Sequence, residues 1–383
     1  MRAKALWRSF DWLAFAMTLL LIATGCVMIY SAYEISMPTA HELTWDNSVV
    51  RQAVFALIGL VGYALMALID YDLWLQLYRW IYGLVLVLLG TTLVVGHTRF
   101  GAQSWFQFVA FDVQTSELCK VLMILVLARV LGCGQRRLES PLPLFKALLL
   151  LLPPVVMIYL QPDFGTAVIL VATCAGMIFL SGVRWRHMLL ILIILAACAP
   201  LVWFQLEDYM RGRILQFIMP EVHISDDSYN INQALISIGS GGWWGKGLFQ
   251  GTQTQLHFLR VRHTDFIFSV LAEELGFVGA TLLIAAFALL FFALVRTALR
   301  ARDDGGRLIA GGVAVMLLVQ TVINIGMNAN LLPVTGLPLP LVSYGGSSLV
   351  TTLMALGLVQ SVALRRERIE PLLPYSSIGE RVL

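Results

Sequence analysis

The stretch HFLRVRHTDFIFSVLAEELG, residues 257–276, places acidic side chains in and beside an apolar run. A carboxylate at the start of such a run, like that of Asp265, can accept a proton from a substrate or simply begin a helix. Glu273 follows eight residues later, about 12 Å along a helix and about 80° around it, and Glu274 points nearly opposite Asp265. The three therefore do not form one cluster. We interpret the two glutamates as structural groups that anchor this helix to its neighbours.

Basic residues precede Asp265 along a segment of about sixty residues, 206–264. Cations in this position suit an anionic, phosphate-bearing ligand, although long external loops also collect basic residues without a binding role. His263 either orients a substrate or is an ordinary loop histidine. The basic residues are Arg211, Arg213, Lys246, Arg260 and Arg262.

Glycines surround Lys246 in the sequence GSGGWWGKGLFQG, residues 239–251. Glycine lets a backbone approach a ligand closely, and consecutive N–H groups can cradle phosphate oxygens. The alternative is a set of turns in an interfacial loop. The sequence has no GxxxxGK[ST] pattern here, so it does not indicate a nucleotide-binding P-loop.

A second polar patch, VQTSELCK, begins another apolar run. Glu117 and Lys120 are three residues apart, so the spacing predicts an ion pair on one helix face, which would be tolerable at membrane depth. In QPDFGT, Asp163 is expected to cap the following helix. The six histidines show no zinc-binding spacing.

The elements that carry these residues must be membrane helices. The 383-residue chain is 59% hydrophobic and 13% charged, and several apolar stretches reach the length that spans a bilayer. The N-terminal run is interpreted as a first span and not as a signal peptide. We expect an all-α polytopic fold with about ten spans: 10–32, 50–70, 73–95, 114–132, 142–160, 164–182, 185–205, 265–296, 307–330 and 345–364.

The distribution of lysine and arginine gives an orientation. Basic clusters precede the first span and follow the fourth, sixth, eighth and tenth, which is one side of a ten-span bundle. That side is predicted to be cytoplasmic, with both termini inside and 206–264 outside. The uncharged segment LLPVTGLPLPLVSYGG, residues 331–346, is expected to dip into the membrane or pack over the bundle, where protein satisfies its backbone.

Four motifs together resemble a known family. QPDFGTA, GSGGWWGKGLFQGTQTQ, RHTDFIFSVLAEELGFVG and NIGMN…LLPVTGLPLPLVSYGGSS resemble the RodA/FtsW/SpoVE (SEDS) proteins of shape, elongation, division and sporulation, and they resemble the RodA branch most. The resemblance covers nearly the whole chain. It implies one integral membrane domain over 1–383.

The resemblance implies a peptidoglycan glycosyltransferase that polymerises lipid II at the outer face of the bacterial cytoplasmic (inner) membrane during cell elongation. The implied partners are lipid II, the growing glycan strand, a class B penicillin-binding protein that supplies the transpeptidase, and other cell-elongation machinery. The family's essential aspartate falls on Asp265, its Glu–Lys pair on Glu117 and Lys120, and its paired arginines on Arg211 and Arg213.

For such a reaction we expect inverting displacement of polyprenyl pyrophosphate, with Asp265 as the general base. Cations would stabilise the leaving group. No tightly bound cofactor and no dedicated metal cage are expected, while the resemblance suggests that Mg²⁺ or Mn²⁺ assists pyrophosphate departure. The expected substrate-binding residues are Lys120, Arg211, Arg213, Lys246, Arg262, His263 and Thr264.

The chain departs from the family pattern near these motifs. His257 replaces a glutamate, and Arg260-Val261 replaces Pro-Glu, so this chain has no second acidic residue at those positions. Thr115, Ser104 and Asn330 are further departures, and none alters Asp265. Two rival functions stay open at this point: a transporter that flips lipid II, which the Pro153-Pro154 pair would suit as a helix break, and a non-catalytic scaffold for the penicillin-binding protein.

Overall fold

The chain is built almost entirely of helices. The computed structural model describes residues 9–34, 47–99, 102–107, 112–132, 142–183, 208–219, 226–256, 258–259 and 264–366, with single positions between 186 and 204. The first helices are α1 (Trp12–Glu34), α2 (Ser48–Leu68), α3 (Tyr71–Gln76), α4 (Tyr78–Val95), α5 (Thr115–Leu131), α6 (Leu142–Leu160) and α7 (Phe164–Leu180). The later ones are α8 (Asp208–Ile218), α9 (Asp226–Ser240), α10 (Thr252–Gln255), α11 (Ile267–Leu299), α12 (Asp304–Asn328) and α13 (Gly346–Leu364).

The apolar runs form the membrane helices. Within the described ranges, seven helices are long and apolar enough to cross a membrane, namely α1, α2, α4, α6, α11, α12 and α13, and α7 is a shorter apolar helix. Each predicted span coincides with a described helix except 185–205, which lies almost wholly outside the described residues. The prediction of an all-α, multi-pass membrane protein is confirmed.

Several helix ends have side-chain caps, because the first backbone N–H groups of a helix lack partners within it. The Asn47 side chain accepts from Val49 N at 2.8 Å at the start of α2, and Asp163 accepts from Thr166 N at 3.2 Å at the start of α7, as predicted. The prolines Pro153 and Pro154 do not break α6, which runs on to Leu160.

The helices form an inner and an outer set. The inner helices α5, α12 and α13 are buried over most of their length, whereas α2 and α4 expose large apolar side chains, as lipid-facing helices do. Helix α12 packs against α5, α7, α11 and α13. Helix α12 therefore contacts the helices that carry or follow the candidate functional residues.

A small antiparallel sheet lies between α4 and α5. Its strands are β1 (His97–Arg99), β2 (Ala102–Gln107) and β3 (Asp112–Gln114), in the order β1-β2-β3, with Trp105 opposite Gln114 and Phe106 opposite Val113. No strand was predicted between the spans 73–95 and 114–132. The strands are too short for their periodicity to be recognised in the sequence.

Ion pairs gather several helix ends at one end of the bundle. Arg296, at the end of α11, donates to Asp11 at 2.7 Å, and Arg365, after α13, pairs with Asp70 at 3.1 Å. Arg302, in the connection between α11 and α12, forms an ion pair with Asp72 of α3. The start of α11, the 241–256 segment and residues 331–345 therefore lie toward the other end.

Candidate active site

Asp265 lies in a turn just before α11. The helix begins at Ile267 with Phe266 as its N-cap residue, so Asp265 stands one residue before the cap. Asp265 and Thr264 are half-buried. Phe266 makes no side-chain cap hydrogen bond, and Asp265 lies at a semi-exposed edge of the bundle beside the helix start.

Buried side chains from two other elements hold this turn. The Asp265 carbonyl accepts from Asn324 Nδ2 at 3.1 Å and from Asn328 Nδ2 at 2.9 Å, and both asparagines are fully buried in α12. Ser343 Oγ donates to the Thr264 carbonyl at 2.5 Å. These three residues were not among the predicted site residues. The amides at positions 320, 324 and 328 of an apolar span form a repeat that could have indicated Asn324 and Asn328, but it does not indicate Ser343.

The segment 331–345 packs into this end of the bundle. Leu337, Leu339 and Val342 are buried in it, and two of its carbonyls accept hydrogen bonds from amide side chains of α12. Asn324 donates to the Leu337 carbonyl at 2.7 Å, and Gln320 Nε2 donates to the Pro338 carbonyl at 3.0 Å. For these two carbonyls, protein supplies the hydrogen-bond partners as predicted. Near its middle, a Cβ added at Gly336 would lie 3.8 Å from Asp265 Oδ2, so this segment lines the aspartate.

Glu117 and Lys120 form the ion pair that their spacing predicts. Lys120 Nζ lies 2.7 Å from Glu117 Oε1, and the side chains are only 2% and 3% exposed. The same ammonium donates to Gln320 Oε1 at 3.3 Å. Lys120 is therefore linked through Gln320 to the 331–345 segment. One helical turn further along α12 lies Asn324, which holds the Asp265 carbonyl.

The glycine-rich segment interlocks with a break in α11. The helix is interrupted at Gly276, whose φ of 66° and ψ of −165° are not helical. At this break, Lys246 N and Gly247 N donate to the carbonyls of Glu273 and Glu274, each at 3.0 Å. In return, the N–H groups of residues 277 and 278 donate to the carbonyls of 242 and 243, at 2.8 and 3.2 Å. The N–H groups of Lys246 and Gly247 are thus engaged with α11 and do not form a phosphate cradle.

Close backbone approach explains why glycine is required at this interlock. A Cβ at Gly241 would lie 2.0 Å from the Ala272 carbonyl oxygen, and one at Gly245 would lie 2.0 Å from that of Glu274. A Cβ at Gly276 would lie 2.3 Å from Gly245 N. Of the two sequence interpretations, turns and packing account for these glycines.

Glu273 and Glu274 clamp the same segment with their side chains. Glu273 Oε1 accepts from Lys246 Nζ at 2.7 Å and from Gln253 N at 3.0 Å. Glu274 accepts from Phe249 N at 3.2 Å and also bonds to Ser31 of α1. The glutamates therefore anchor α11 to the glycine-rich segment and to one neighbouring span, and Lys246, proposed as a substrate ligand, already has a carboxylate partner.

The remaining predicted substrate-binding residues fall into two groups. Arg211 and Arg213 lie half-buried in α8, where the Arg211 guanidinium donates to the carbonyls of Trp203 and Phe204 at 3.1 and 2.6 Å. Arg262 and His263 lie outside the described residues, as do His257 and Arg260. Their roles stay predictions.

A metal cage was not expected, whereas an assisting cation was. The described part of the chain contains no group of three or more His, Cys, Asp or Glu side chains that could hold a metal ion. Mg²⁺ is often bound by one or two carboxylates together with substrate phosphates, so a single carboxylate such as that of Asp265 fits a cation of that kind. Such a cation would be recruited with the pyrophosphate.

Named proteins of similar sequence match the chain over nearly its full length. The peptidoglycan glycosyltransferase MrdB of Escherichia coli K12 is 36% identical over 354 residues, covering 91% of this chain and 94% of the relative. The stage V sporulation protein E of Bacillus subtilis is 37% identical, covering 92% and 96%.

Solved structures match in the same way. The rod shape determining protein RodA of Thermus thermophilus has a TM-score of 0.69 at 34% identity, covering 94% of this chain and 99% of that one. A chain from a peptidoglycan synthase complex that coordinates polymerization and crosslinking has a TM-score of 0.78 at 34% identity, covering 92% and 97%. A family model described as cell cycle protein, for FtsW, RodA and SpoVE, matches residues 11–368. The chain therefore belongs to the FtsW/RodA/SpoVE family.

Proposed function

We propose that this protein is a peptidoglycan glycosyltransferase that polymerises lipid II for cell elongation. The relatives named as peptidoglycan glycosyltransferases and the likeness to RodA support this function. The observation that carries it is Asp265, a half-buried carboxylate whose backbone is fixed by two buried amides at the semi-exposed end of the bundle. A base that must receive a proton from a bound sugar needs both access and a fixed position.

The proposed reaction is a direct displacement at the anomeric carbon of the donor. Asp265 takes the proton of the acceptor hydroxyl, the acceptor oxygen bonds to that carbon, and the bond from carbon to the pyrophosphate oxygen breaks. Attack from the face opposite the leaving group converts the α-linked pyrophosphate into a β-1,4 glycosidic bond. The electron pair of the broken bond leaves with the polyprenyl pyrophosphate.

The leaving pyrophosphate gains negative charge, which nearby cations stabilise. Arg211 and Arg213 are the proposed ligands, since both lie in α8 within the segment that leads to Asp265. Lys120 is the deeper candidate, and Glu117 keeps its ammonium in place. Lys246 serves first to neutralise Glu273, so its contribution to pyrophosphate binding is proposed as secondary. A divalent cation, Mg²⁺ or Mn²⁺, is proposed to supply further charge when it is bound with the substrate.

We place the reaction at the outer face of the cytoplasmic membrane, with both termini inside. This orientation is supported by the lysine and arginine distribution and by the gathering of Arg296, Arg302 and Arg365 at the end opposite Asp265. A class B penicillin-binding protein is the proposed partner, and the likeness to a chain of a peptidoglycan synthase complex supports it.

One reconstitution separates this function from its rivals. The purified protein is given lipid II, alone and with the penicillin-binding protein carrying an inactivated transpeptidase, and glycan strands are measured. We expect glycan that requires this protein. A transporter would move lipid II across vesicle membranes without making glycan. A scaffold would leave lipid II unpolymerised under both conditions, and either result would contradict the proposal.

A further inference from the structure

Three amide side chains form a ladder along one face of α12. Gln320, Asn324 and Asn328 follow one another at intervals of four residues, which places them on the same side of a helix. They are at most 1% exposed. Amides buried in an apolar span are expensive unless they are bonded, so their partners indicate what they do.

The amide NH2 groups of the ladder donate mostly to irregular backbone near the candidate site. Asn324 Nδ2 bridges the Asp265 and Leu337 carbonyls at 3.1 and 2.7 Å. Asn328 Nδ2 donates to the same Asp265 carbonyl at 2.9 Å, and its oxygen accepts from Ser269 Oγ at 2.6 Å. The turn that carries Asp265 and the segment that lines its carboxylate are thus fixed to one rigid helix.

We propose that Asn324 and Asn328 are positioning residues for Asp265, which set the place of its carboxylate by jointly holding its carbonyl. This inference rests on the proposed function, because it needs Asp265 to act in the reaction. The turn 264–266 precedes α11, so the α11 hydrogen-bond ladder does not fix the Asp265 carbonyl. Two buried donors that converge on one oxygen supply that constraint from outside the helix.

The expected consequence is kinetic. A displacement of about 1 Å in a reacting group can lower the rate roughly 10²-fold, whereas substrate binding relies on other residues. Removing an amide should therefore lower kcat while the KM and the dissociation constant for lipid II stay within about twofold of the wild type. A role limited to general stability would instead lower the melting temperature and the folded fraction, while kcat per folded molecule would stay at the wild-type value.

The test compares Asn324→Leu, Asn328→Leu and the double variant with the wild type, all purified with the partner protein. We expect kcat to fall roughly tenfold in each single variant and roughly 10²-fold in the double variant. Thr321→Val is the matched control, because Thr321 is buried in the same helix and its hydroxyl has no hydrogen-bond partner among the described residues. Its kcat should be unchanged.

An isosteric variant keeps the test valid if the leucine variants fold poorly. Asn328→Asp preserves the shape and the acceptor for Ser269. A neutral carboxyl group has one O–H donor, so it can serve either Asp265 or the Asn324 carbonyl, which Asn328 also bonds at 2.8 Å, but not both. We expect a kcat between those of the wild type and Asn328→Leu, with unchanged lipid II binding.

The outcomes distinguish this inference from the function on which it rests. If Asp265→Asn is inactive while folded Asn324 and Asn328 variants keep the wild-type kcat, the positioning role is wrong and the proposed function stands. If Asp265→Asn polymerises lipid II at the wild-type rate, both the base and its positioning are overturned. If the melting temperature falls in every asparagine variant while kcat per folded molecule stays at the wild-type value, the amides only stabilise the fold.

Discussion

Asp265 stands one residue before the N-cap of α11, so its substitution does not alter a residue of the helix itself. Asp265→Asn keeps the shape of the side chain and removes its ability to accept a proton. We expect glycan polymerisation to fall by 10²–10⁴-fold or more, the usual range for loss of a general base. The measurement is the initial rate with lipid II, using proteins matched for melting temperature.

Glu273→Gln is the companion to that experiment. Glu273 is fully buried and bonded to Lys246, so its loss should lower thermal stability more than the chemical rate. The opposite pattern, with a near wild-type rate for Asp265→Asn and an inactive but stable Glu273→Gln, would move the catalytic role from the first carboxylate to the second.

Glu117 and Lys120 offer a second test at the level of single side chains. Removing one partner of a buried pair leaves an unpaired charge and typically costs about 3–5 kcal/mol. In a double-mutant cycle with alanine, we expect the double variant to be markedly more stable than the sum of the single changes predicts. The measurement is the free energy of unfolding in detergent.

A matched control for this cycle exists in the same chain. Arg307 and Asp304 have the same three-residue spacing at 2.9 Å, but both are about one-third exposed. Exposed pairs contribute between about 0 and 1 kcal/mol, so that cycle should be close to additive. Equal coupling in both cycles would mean that burial does not strengthen the Glu117–Lys120 pair.

At the scale of elements, Lys246 joins the glycine-rich segment to α11. Lys246→Ala leaves Glu273 buried without its cationic partner. We therefore expect a clear drop in melting temperature and only a small change in the KM for lipid II. For Arg211→Ala and Arg213→Ala we expect a nearly unchanged melting temperature and a raised KM for lipid II. Each charged hydrogen bond lost to the substrate should cost roughly 1.5–3 kcal/mol. If Lys246→Ala is stable and its KM for lipid II is strongly raised, this prediction is wrong and Lys246 is a pyrophosphate ligand.

The glycines of the interlock can be tested one at a time. Gly245 has a φ of 80° and a Cβ there would meet the Glu274 carbonyl at 2.0 Å, whereas Gly242 has a φ of 55° with open space around it. Gly242→Ala should cost about 1–2 kcal/mol for the left-handed backbone alone. Gly245→Ala should cost more, because the clash adds to that penalty.

Gly239 supplies the control for these changes. It lies in α9 with no atom within 4 Å of an added Cβ, so Gly239→Ala should be neutral or stabilise the protein by about 0.5–1 kcal/mol. Thermal unfolding of the three variants gives the order. Equal stability of Gly245→Ala and Gly242→Ala would show that the short distance from residue 245 to the Glu274 carbonyl does not contribute to the cost.

The elements were largely predictable, and their long-range contacts were not. Apolar length identifies a membrane helix from local sequence, which is why the span limits of α2, α6 and α13 agree with the sequence within a few residues. The Glu117–Lys120 pair was predictable because it is local to one helix. Asn324 and Asn328 were missed because their four-residue repeat does not reveal which distant backbone groups they bond. The exchange of hydrogen bonds at Gly276 likewise depends on a segment some thirty residues away.

For the whole molecule, the gathered basic ends predict the orientation in the membrane. We expect both termini and Arg302 inside, and Ser240 outside. Single cysteines at these two exposed positions, in a background without the native cysteines, can be labelled in intact cells with a membrane-impermeant reagent. Label at 240 and not at 302 is the expected result. Label at 302 alone would reverse the orientation.

The break in α11 also determines how much of that helix lies in lipid. The helix has 33 residues, about 50 Å at 1.5 Å each, whereas the hydrocarbon core of a bilayer is about 30 Å thick. The residues after the break, 277–299, already reach about 35 Å and are sufficient to cross it. The residues before the break are therefore not needed to span the hydrocarbon core. We therefore expect Asp265, Glu273 and Glu274 to lie above the hydrocarbon, at the level of the headgroups, so that an apolar helix can carry two carboxylates near its start and follow a third directly.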